Sequence, residues 1–308
     1  MRIKLLPEHP NFGFLPKRMI FFAFSALLIL ASIGITSTMG LSYGIDFTGG
    51  IMIEVKTPEP NQIGDMRAKL SQLDLGSVEL QEFGEPDDIL IRVQVQEGGD
   101  KANAVAVNAV KEALGDAIEY RRTEVVGPKV SDELFMNGIY AVVSAILAIL
   151  IYIWFRFEWQ FGLGAVIALT HDVVSTIGVF SLIQHEFNLA TVAAVLTIAG
   201  YSINDTVVVF DRVRENLRKY KTKPMDQLLN DSANETLSRT VMTSLTTMLA
   251  LVALYFLGGE IIRDFAFAMI WGVLIGTYSS VCLAVPMLLH LGVERRTMED
   301  EDTAEQLP

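Results

Sequence analysis

The segment FNLATVAAVLTIAGYSINDTVVVF, residues 187–210, decides the fold class of this chain. It contains 24 residues, and Asp205 is the one charged residue among them. A helix of about 20 mostly apolar residues is long enough to cross the ~30 Å hydrocarbon layer of a membrane. The segment therefore predicts a membrane-spanning helix with a carboxyl group inside it.

Five more stretches of similar length and hydrophobicity lie on either side of this segment. Charged residues make up 19% of the 308-residue chain, and its mean hydropathy is +0.39. Soluble domains contain about 25% charged residues, so the composition argues against an ordinary water-soluble enzyme. The additional predicted spans are Met19–Leu41, Leu134–Phe155, Phe161–Ile183, Thr240–Gly259 and Phe265–Leu289.

The first span also resembles a secretory signal peptide, because basic residues of the segment 1–18 precede it. Its apolar run is longer than the about 7–15 residues of a signal core, and no clean small-x-small cleavage site follows. We therefore expect an uncleaved first transmembrane helix.

The distribution of Lys and Arg between the loops predicts the orientation of the helices. Basic residues occur in the segment 1–18, in the loop 211–239 and in the tail 290–308, whereas the short loops on the opposite side hold only Arg263. Because short loops rich in Lys and Arg stay in the cytoplasm, we expect both termini to be cytoplasmic. The residues 42–133 then lie outside, and in a Gram-negative bacterium, with the chain in the inner membrane, outside means the periplasm.

The remaining five helices lie within 134–289. The tail is acidic and poor in apolar residues, so we expect its end to be disordered.

The periplasmic segment has the pattern of a small α/β domain. Alternating apolar residues predict strands, and apolar residues at helical spacing predict helices. The order βαββαβ is typical of the ferredoxin-like fold. No nucleophile elbow, phosphate loop or Cys pair occurs in this sequence, so we expect a binding or moving domain without chemistry of its own. The predicted elements are strands at Ile51–Lys56, Val78–Phe83, Ile89–Val95 and Ile118–Val126, helices at Asn61–Leu73 and Ala102–Leu114, and a turn at 84–88.

Charge and cysteine usage exclude several classes of function. The formal net charge is −12, and the periplasmic segment has no basic patch in its sequence, which argues against nucleic acid as a partner. The lone Cys282 excludes an internal disulfide and a cysteine-based zinc site. The four histidines are scattered, so we expect neither a metal nor a cofactor.

Asp172 in the third span and Asp205 in the fourth are the two carboxylates within the predicted spans. A charge at the bilayer centre costs about 2.5–3.5 kcal/mol on insertion scales, and desolvation favours the neutral form of a carboxyl group. A carboxyl group poised between its two forms can carry a proton through a helix bundle. The sequence therefore predicts a proton relay at Asp205, and at Asp172 with its neighbour His171. The alternative is that these carboxylates only fix the packing of the helices.

Helical spacing places further polar and small residues near these carboxylates. Arg239, at the start of the fifth span, either extends to the membrane boundary or pairs with ionised Asp205 and releases it on protonation. Gly272 and Gly276 form a GxxxG pattern, which allows another helix to approach closely. The supporting polar positions are Ser202, Asn204, Thr243 and Thr247, of which Ser202 shares a helix face with Asp205.

Five motifs occur along the chain in a characteristic order. The segment GYSINDTVVVFDRVREN at 200–216 resembles the fourth-helix signature of the SecF family, which belongs to the resistance-nodulation-division superfamily. The resemblance covers about residues 19–290. The other matching motifs are GIDFTGG at 44–50, VGPKV at 126–130, HDV at 171–173 and LSRTVMTSLT at 237–246.

The resemblance implies a role in protein export rather than an enzymatic activity. It implies that the chain forms a heteromer with SecD, and that the complex is a proton-driven machine. This machine assists export through the SecYEG translocon, and the outer domain contacts the emerging unfolded polypeptide. It also implies that Asp205 carries the proton and that Arg239 is the functional arginine of the fifth helix. Whether the ion is H⁺ or Na⁺ stays open.

Three other interpretations compete with this one. The chain could be a small-molecule or lipid exporter of the same superfamily, although its single outer domain of about 90 residues disfavours a roomy substrate pocket. It could be an intramembrane aspartyl protease, in which Asp172 and Asp205 share a proton. It could also be a structural scaffold, in which replacing Asp205 with Asn has no effect.

Overall fold

The computed structural model describes residues 10–60, 62–83, 85–96, 98–258 and 260–293. The chain divides into two compact units, an α/β unit over Tyr43–Ala141 and a helical unit formed by the rest. The elements, labelled in chain order, are α1 Arg18–Met39, β1 Ser42–Tyr43, α2 Ile45–Thr48, β2 Gly50–Lys56, α3 Ile63–Leu70, β3 Val78–Phe83, β4 Glu85–Val93, α4 Asp100–Leu114, β5 Glu119–Val126, α5 Pro128–Arg156, α6 Trp159–Ile183, β6 Glu186–Phe187, α7 Leu189–Lys219, α8 Met225–Leu257, α9 Glu260–Ser279, a π-helical turn Ser280–Ala284 and α10 Val285–His290.

Within the described ranges, six helical segments are long and apolar enough to cross a membrane. They are α1, α5, α6, α7, α8 and the continuous stretch Ile262–His290, and each contains one predicted span or most of it. The prediction of a polytopic helical membrane protein with six spans and one α/β insertion is therefore confirmed.

The loop expected at 211–239 is mostly helical. Helix α7 continues to Lys219 and α8 begins at Met225, so five residues separate the two helices. The reason is an apolar contact beyond the membrane spans, in which buried Val213 and Leu217 of α7 belong to the same cluster as Leu228 and Leu229 of α8. The residues around Met225 therefore form the first turn of α8.

Helices α6 and α7 and the α9–α10 segment form the buried centre of the helical unit, whereas α1, α5 and α8 expose most of their apolar residues. The aromatic rings of Phe157, Phe161 and Phe210 pack against one another in the core. Helix α1 crosses α6 closely because Gly178 lies directly against Ser32, with no room for a Cβ atom. Such close approaches between helices are typical of membrane proteins, in which small residues line the contacts.

The segment before α1 is tied to the start of α8 by two asparagines. The Asn234 Oδ1 atom accepts a hydrogen bond from the Phe12 amide at 2.8 Å, and its Nδ2 atom donates to the Phe12 carbonyl at 2.9 Å. One turn earlier, the Asn230 Oδ1 atom accepts from the amides of Phe14 and Leu15 at 2.9 and 3.3 Å. We call these contacts the asparagine clamp.

The α/β unit contains a four-stranded antiparallel sheet in the order β3-β4-β2-β5. Its core joins the buried strand residues Ile51, Ile53 and Ile91 to Leu70 of α3 and Val110 of α4. Element order and sheet order together are those of the ferredoxin-like fold, as the alternation in the sequence predicts.

The turn expected at 84–88 is shorter than predicted, because β4 begins at Glu85. Charge pairing explains the difference. Lys56 lies opposite Asp88 in the β2–β4 register, and its Nζ atom is 3.0 Å from Glu85 and 2.9 Å from Asp87. These hydrogen bonds raise the pKa of Lys56 and lower the pKa of Asp87. The paired charges let an acidic stretch join the sheet.

The segment 1–9 and the tail beyond Val293 lie outside the described residues. The expectations for the basic leader and for the disordered acidic tail therefore stay predictions.

Candidate functional site

A cluster of polar side chains is buried where α6, α7 and α9 meet, and Asp172 is at its centre. The Asp172 side chain is fully buried. Its Oδ2 atom accepts hydrogen bonds from Ser202 of α7 at 2.6 Å and from Ser279 of α9 at 2.7 Å, and its Oδ1 atom is 2.9 Å from His171 Nδ1. One carboxyl group thus connects three helices. Both of its oxygen atoms have partners, so the geometry holds this group in place.

The π-helical turn Ser280–Ala284 and the residue before it, Ser279, bring two hydroxyl groups to the cluster. The turn lies just before Pro286, whose nitrogen cannot donate to a carbonyl one turn earlier, and π turns inside α-helices occur frequently at functional sites. Ser279 bonds to Asp172, and the Ser280 hydroxyl is 2.9 Å from that of Thr206. The cluster therefore extends along α7 to the residue next to Asp205.

Asp205 is buried as well, with 3% of its surface exposed. Its environment differs from that of Asp172, because the buried Oδ2 atom of Asp205 has no hydrogen-bond partner among the described residues. A buried carboxylate oxygen without a partner is energetically unfavourable. Asp205 is therefore the member of the cluster whose charge the described residues compensate least.

His171 has one satisfied and one unsatisfied ring nitrogen. Its Nε2 atom is buried and has no hydrogen-bond partner within the described part of the chain. The ring lies 5.9 Å from the ring of Tyr278, centroid to centroid, and the Tyr278 hydroxyl contacts Ser25 at 3.0 Å. The polar cluster thus continues through His171 and Tyr278 towards α1.

Arg239 lies on an exposed stripe of α8 together with Thr243. Arg239 and Asp205 form no ion pair within the residues that the structure describes, although Asp205 is within the electrostatic reach of Arg239. The Thr247 hydroxyl accepts a hydrogen bond from the Tyr201 hydroxyl at 3.3 Å, which joins α8 to α7 beside the cluster. Asn204, next to Asp205 on α7, is exposed and points away from the cluster.

The two glycines of the GxxxG pattern face α7 of the same chain. A Cβ atom on Gly272 would overlap the Ile198 side chain, whereas one on Gly276 would be 3.4 Å from Ser202 and 3.6 Å from Asp172 Oδ2. This seam therefore brings α9 close enough to α7 for Ser279 to reach Asp172.

Several buried polar residues are absent from the sequence prediction, some of them in this cluster and some elsewhere. Ser279 and Ser280 lie in an apolar span, where two consecutive hydroxyl residues are the available signal. Asp264, directly before the predicted sixth span, is buried, and its Oδ1 atom is 2.7 Å from His185 Nδ1. The pair of Asp264 with His185 depends on a contact between distant helix ends, which spacing along the chain does not show.

Comparison with known protein families agrees with the fold. Residues 106–294 match the family model described as protein export membrane protein SecD/SecF, C-terminal, and residues 34–57 match the SecD/SecF GG motif. Six membrane-length helices, one α/β unit and these two matches define a multi-pass membrane protein of the protein-export class.

Curated relatives narrow this class. The chain is 48% identical over 309 residues to the protein translocase subunit SecF of Rhodobacter capsulatus, covering 96% of this chain and 93% of the relative. It is 45% identical over 313 residues to that of Magnetococcus marinus, covering 100% of both. The chain belongs to the SecF family of protein translocase subunits, which confirms the family resemblance of the sequence.

Solved structures agree with this assignment. The crystal structure of SecDF from Thermus thermophilus, a translocon-associated membrane protein, matches with a TM-score of 0.83 and 34% identity. A second SecDF structure, in a super-membrane-facing form, matches with a TM-score of 0.68 and 35% identity. These matches cover 94% and 98% of this chain but 40% and 41% of the SecDF chains. A SecD partner is consistent with a match to part of a longer SecDF chain.

Proposed function

We propose that this chain pairs with SecD in a complex that uses the proton gradient to assist the export of unfolded polypeptides through SecYEG. The observation that supports this function is the buried carboxyl group of Asp205, which has an oxygen atom without a partner among the described residues. A group of this kind can bind and release a proton at a small cost in packing. Asp205 is therefore the proposed proton carrier.

The second buried carboxyl group has a different role in this proposal. Asp172 is held by Ser202, Ser279 and His171, so a change in its protonation would disturb three helices at once. Two carboxyl groups in different environments can divide two roles between them. We propose that Asp205 transfers the proton and that Asp172 holds the surrounding helices in position. His171, whose Nε2 atom has no partner among the described residues, is the candidate for passing the proton on.

In this proposal, Arg239 couples the charge of Asp205 to the arrangement of α7 and α8. When Asp205 is ionised, its attraction to the arginine favours a close arrangement of α7 and α8, and protonation removes that attraction. A membrane potential supplies about 2.3 kcal/mol per charge per 100 mV. One or two protons can therefore shift an equilibrium between two arrangements of these helices, and the shift moves the α/β domain.

SecD is the proposed cover for the exposed polar stripes beside this site. Helix α8 exposes Arg239 and Thr243, and α7 exposes Thr197, Gly200 and Asn204. Polar side chains that face lipid are unfavourable, and small residues permit a close helix contact. In this arrangement the termini lie in the cytoplasm, the complex lies in the inner membrane, and the domain 42–133 meets the polypeptide as it emerges.

The protease interpretation is disfavoured by the hydrogen bonds of Asp172. Two carboxyl groups that share a proton must lie within hydrogen-bonding distance of each other. The oxygens of Asp172 are instead occupied by serine hydroxyls and by His171. An exporter of small molecules has no comparable observation in its favour.

The test replaces Asp205 with Asn, which keeps the size of the side chain and removes its proton exchange. The control is Asp226→Asn, an exposed aspartate at the start of α8. After accumulation and association with SecD have been verified, export of a secretory precursor is measured with the gradient intact, with a protonophore and with a sodium ionophore. We expect the Asp205 variant to export poorly and to lose its response to the protonophore, while the control behaves as wild type.

Normal export and a normal response in the Asp205 variant would support the scaffold interpretation. If export responds to the sodium ionophore but not to the protonophore, the ion that drives export is Na⁺ rather than H⁺.

A further inference from the structure

A basic cavity lies at one end of the helical unit, where α5 ends, α6 begins and α7 leaves the bundle. Its volume is about 510 Å³, and it is lined by Arg156, Asp211, Arg214, Glu215, Arg218 and Lys219. These residues are separate from the polar cluster around Asp172 and Asp205. The export mechanism proposed above does not use them.

The lining has an excess of positive charge. Four of the six side chains are basic and two are acidic. Both carboxylates already have partners, because Asp211 is 3.0 Å from Arg156 and Glu215 is 2.6 Å from Arg212, which is outside the lining. With four basic and two acidic side chains, the lining has a formal net charge of +2.

Two of the guanidinium groups pack against the same aromatic ring. The Arg156 and Arg214 groups lie 5.1 and 5.6 Å from the centre of the same Phe157 ring, which is buried. Arg214 also donates to the Arg156 carbonyl at 3.3 Å, and its buried Nε atom has no hydrogen-bond partner among the described residues. An anion in the cavity would accept hydrogen bonds from guanidinium groups whose positions this ring helps to fix.

The surroundings of the cavity indicate the source of that anion. Three large aromatic side chains next to Arg156 are exposed, Trp154 by 76%, Phe155 by 85% and Trp159 by 59%. Trp residues are enriched where a membrane meets water, and the exposed Ile151 continues the apolar surface along α5. A soluble phosphate would need only the basic groups. A phospholipid would use both the basic groups and the apolar surface beside them.

We propose that this cavity binds the phosphate headgroup of an acidic phospholipid, with the acyl chains lying along α5. Basic pockets between transmembrane helices are known to hold such headgroups. The proposal requires that the chain is a membrane protein, but it does not depend on proton transfer at Asp205.

The test uses the full chain in lipid nanodiscs, followed by native mass spectrometry of the lipids that stay bound. The probes are phosphatidylglycerol, phosphatidylcholine and inorganic phosphate. The variant Arg214→Gln/Lys219→Gln removes two charges from the cavity, and the control Lys17→Gln/Lys221→Gln removes two charges outside its lining. The variant Arg214→Lys/Lys219→Arg retains both charges, and circular dichroism verifies that all variants are folded.

We expect wild type, the control and the charge-retaining variant to hold phosphatidylglycerol in preference to phosphatidylcholine. We expect the Gln variant to retain about tenfold less phosphatidylglycerol. Equal retention by the Gln variant and the control would overturn the proposal. Displacement of the lipid by millimolar inorganic phosphate would overturn the assignment to a phospholipid and indicate a site for free phosphate.

Discussion

Gly272 and Gly276 are four residues apart on α9, but they differ in the space available for a Cβ atom. Gly272 is directly against Ile198, and Gly276 has ordinary contact distances to its neighbours on α6 and α7. The pattern GxxxG predicts a close helix contact without showing which glycine determines it. The three-dimensional contact distinguishes the two positions.

We therefore predict that Gly272→Ala destabilises the chain more than Gly276→Ala does. Overpacking of a closely packed core costs about 1–3 kcal/mol, because the Ile198 side chain has to move. Gly200→Ala is the matched control, since its Cβ atom would meet open space. Thermal unfolding in detergent measures the order, and equal loss of stability in Gly272→Ala and Gly200→Ala would contradict it.

The sequence indicates the two buried carboxylates but not their different surroundings. Asp172 and Asp205 stand out because charged residues are rare in apolar spans. The hydroxyl groups that distinguish them come from other helices, and Ser279 reaches Asp172 through the packing of α9 against α7. Spacing within one helix cannot show such a contact, so the sequence predicts a proton relay at both residues without their different hydrogen-bond partners.

At the scale of elements, hydrophobic runs indicate the spans well and the helix ends poorly. Helix α7 extends nine residues beyond the span predicted to end at Phe210. The extension is polar on one face and apolar on the other, and it is held by contacts with α8 rather than by lipid. The π-helical turn is likewise invisible in a hydropathy pattern, since Pro286 and tertiary contacts produce it.

The asparagine clamp leads to a prediction about the segment before α1. Asn234→Ala removes a hydrogen bond to each of the two backbone groups of Phe12. Each bond contributes about 0.5–1.5 kcal/mol, so the segment should detach more often and be cut faster by a protease. Limited proteolysis followed by mass spectrometry locates the cut, and Asn137→Ala, at an exposed position, is the control. Equal cutting rates would show that the clamp does not hold the segment.

The charged contact between β2 and β4 leads to a prediction about pH. The hydrogen bond from Lys56 lowers the pKa of Asp87 in the folded chain. This carboxylate therefore contributes stability above its unfolded pKa of about 3.9, and the contribution is lost as the pH falls through the lower folded pKa. Lys56→Met should lower the unfolding temperature of the chain at pH 6 by a small amount, because the groups are partly exposed. The difference from wild type should shrink as the pH falls below about 3.9 and through the lower folded pKa of Asp87.

Lys101→Met, an exposed lysine at the start of α4, is the control for this experiment. A difference between Lys56→Met and wild type that is independent of pH would show that the ion pair is not its cause.

At the scale of the whole molecule, three of the six spanning segments form the core of the helical unit and the other three form its surface. The segments α6, α7 and α9–α10 bury their residues within the chain, whereas α1, α5 and α8 expose theirs. Composition cannot separate these two groups of helices, because the same types of apolar residue face lipid in one group and protein in the other. Six spans are therefore predictable from the sequence, and their arrangement is not.

The proposed partnership leads to a prediction about one exposed helix. A photo-reactive amino acid at Thr246 of α8 should cross-link to SecD in membranes, because Thr246 belongs to the same exposed stripe as Arg239. The same amino acid at Trp154 of α5 should not. Western blotting for SecD detects the product, and cross-linking at Trp154 but not at Thr246 would place SecD on the other side of the unit.

The asparagine clamp also affects the order of events during synthesis. The amide of Phe12 bonds to a residue 222 positions later in the chain. At about 5–20 residues per second, a ribosome makes that residue about 10–40 s after Phe12. During this time α1 and the whole α/β unit leave the ribosome while the leading segment waits for its partner. Closure of the clamp therefore marks a chain whose fifth membrane helix has begun to form.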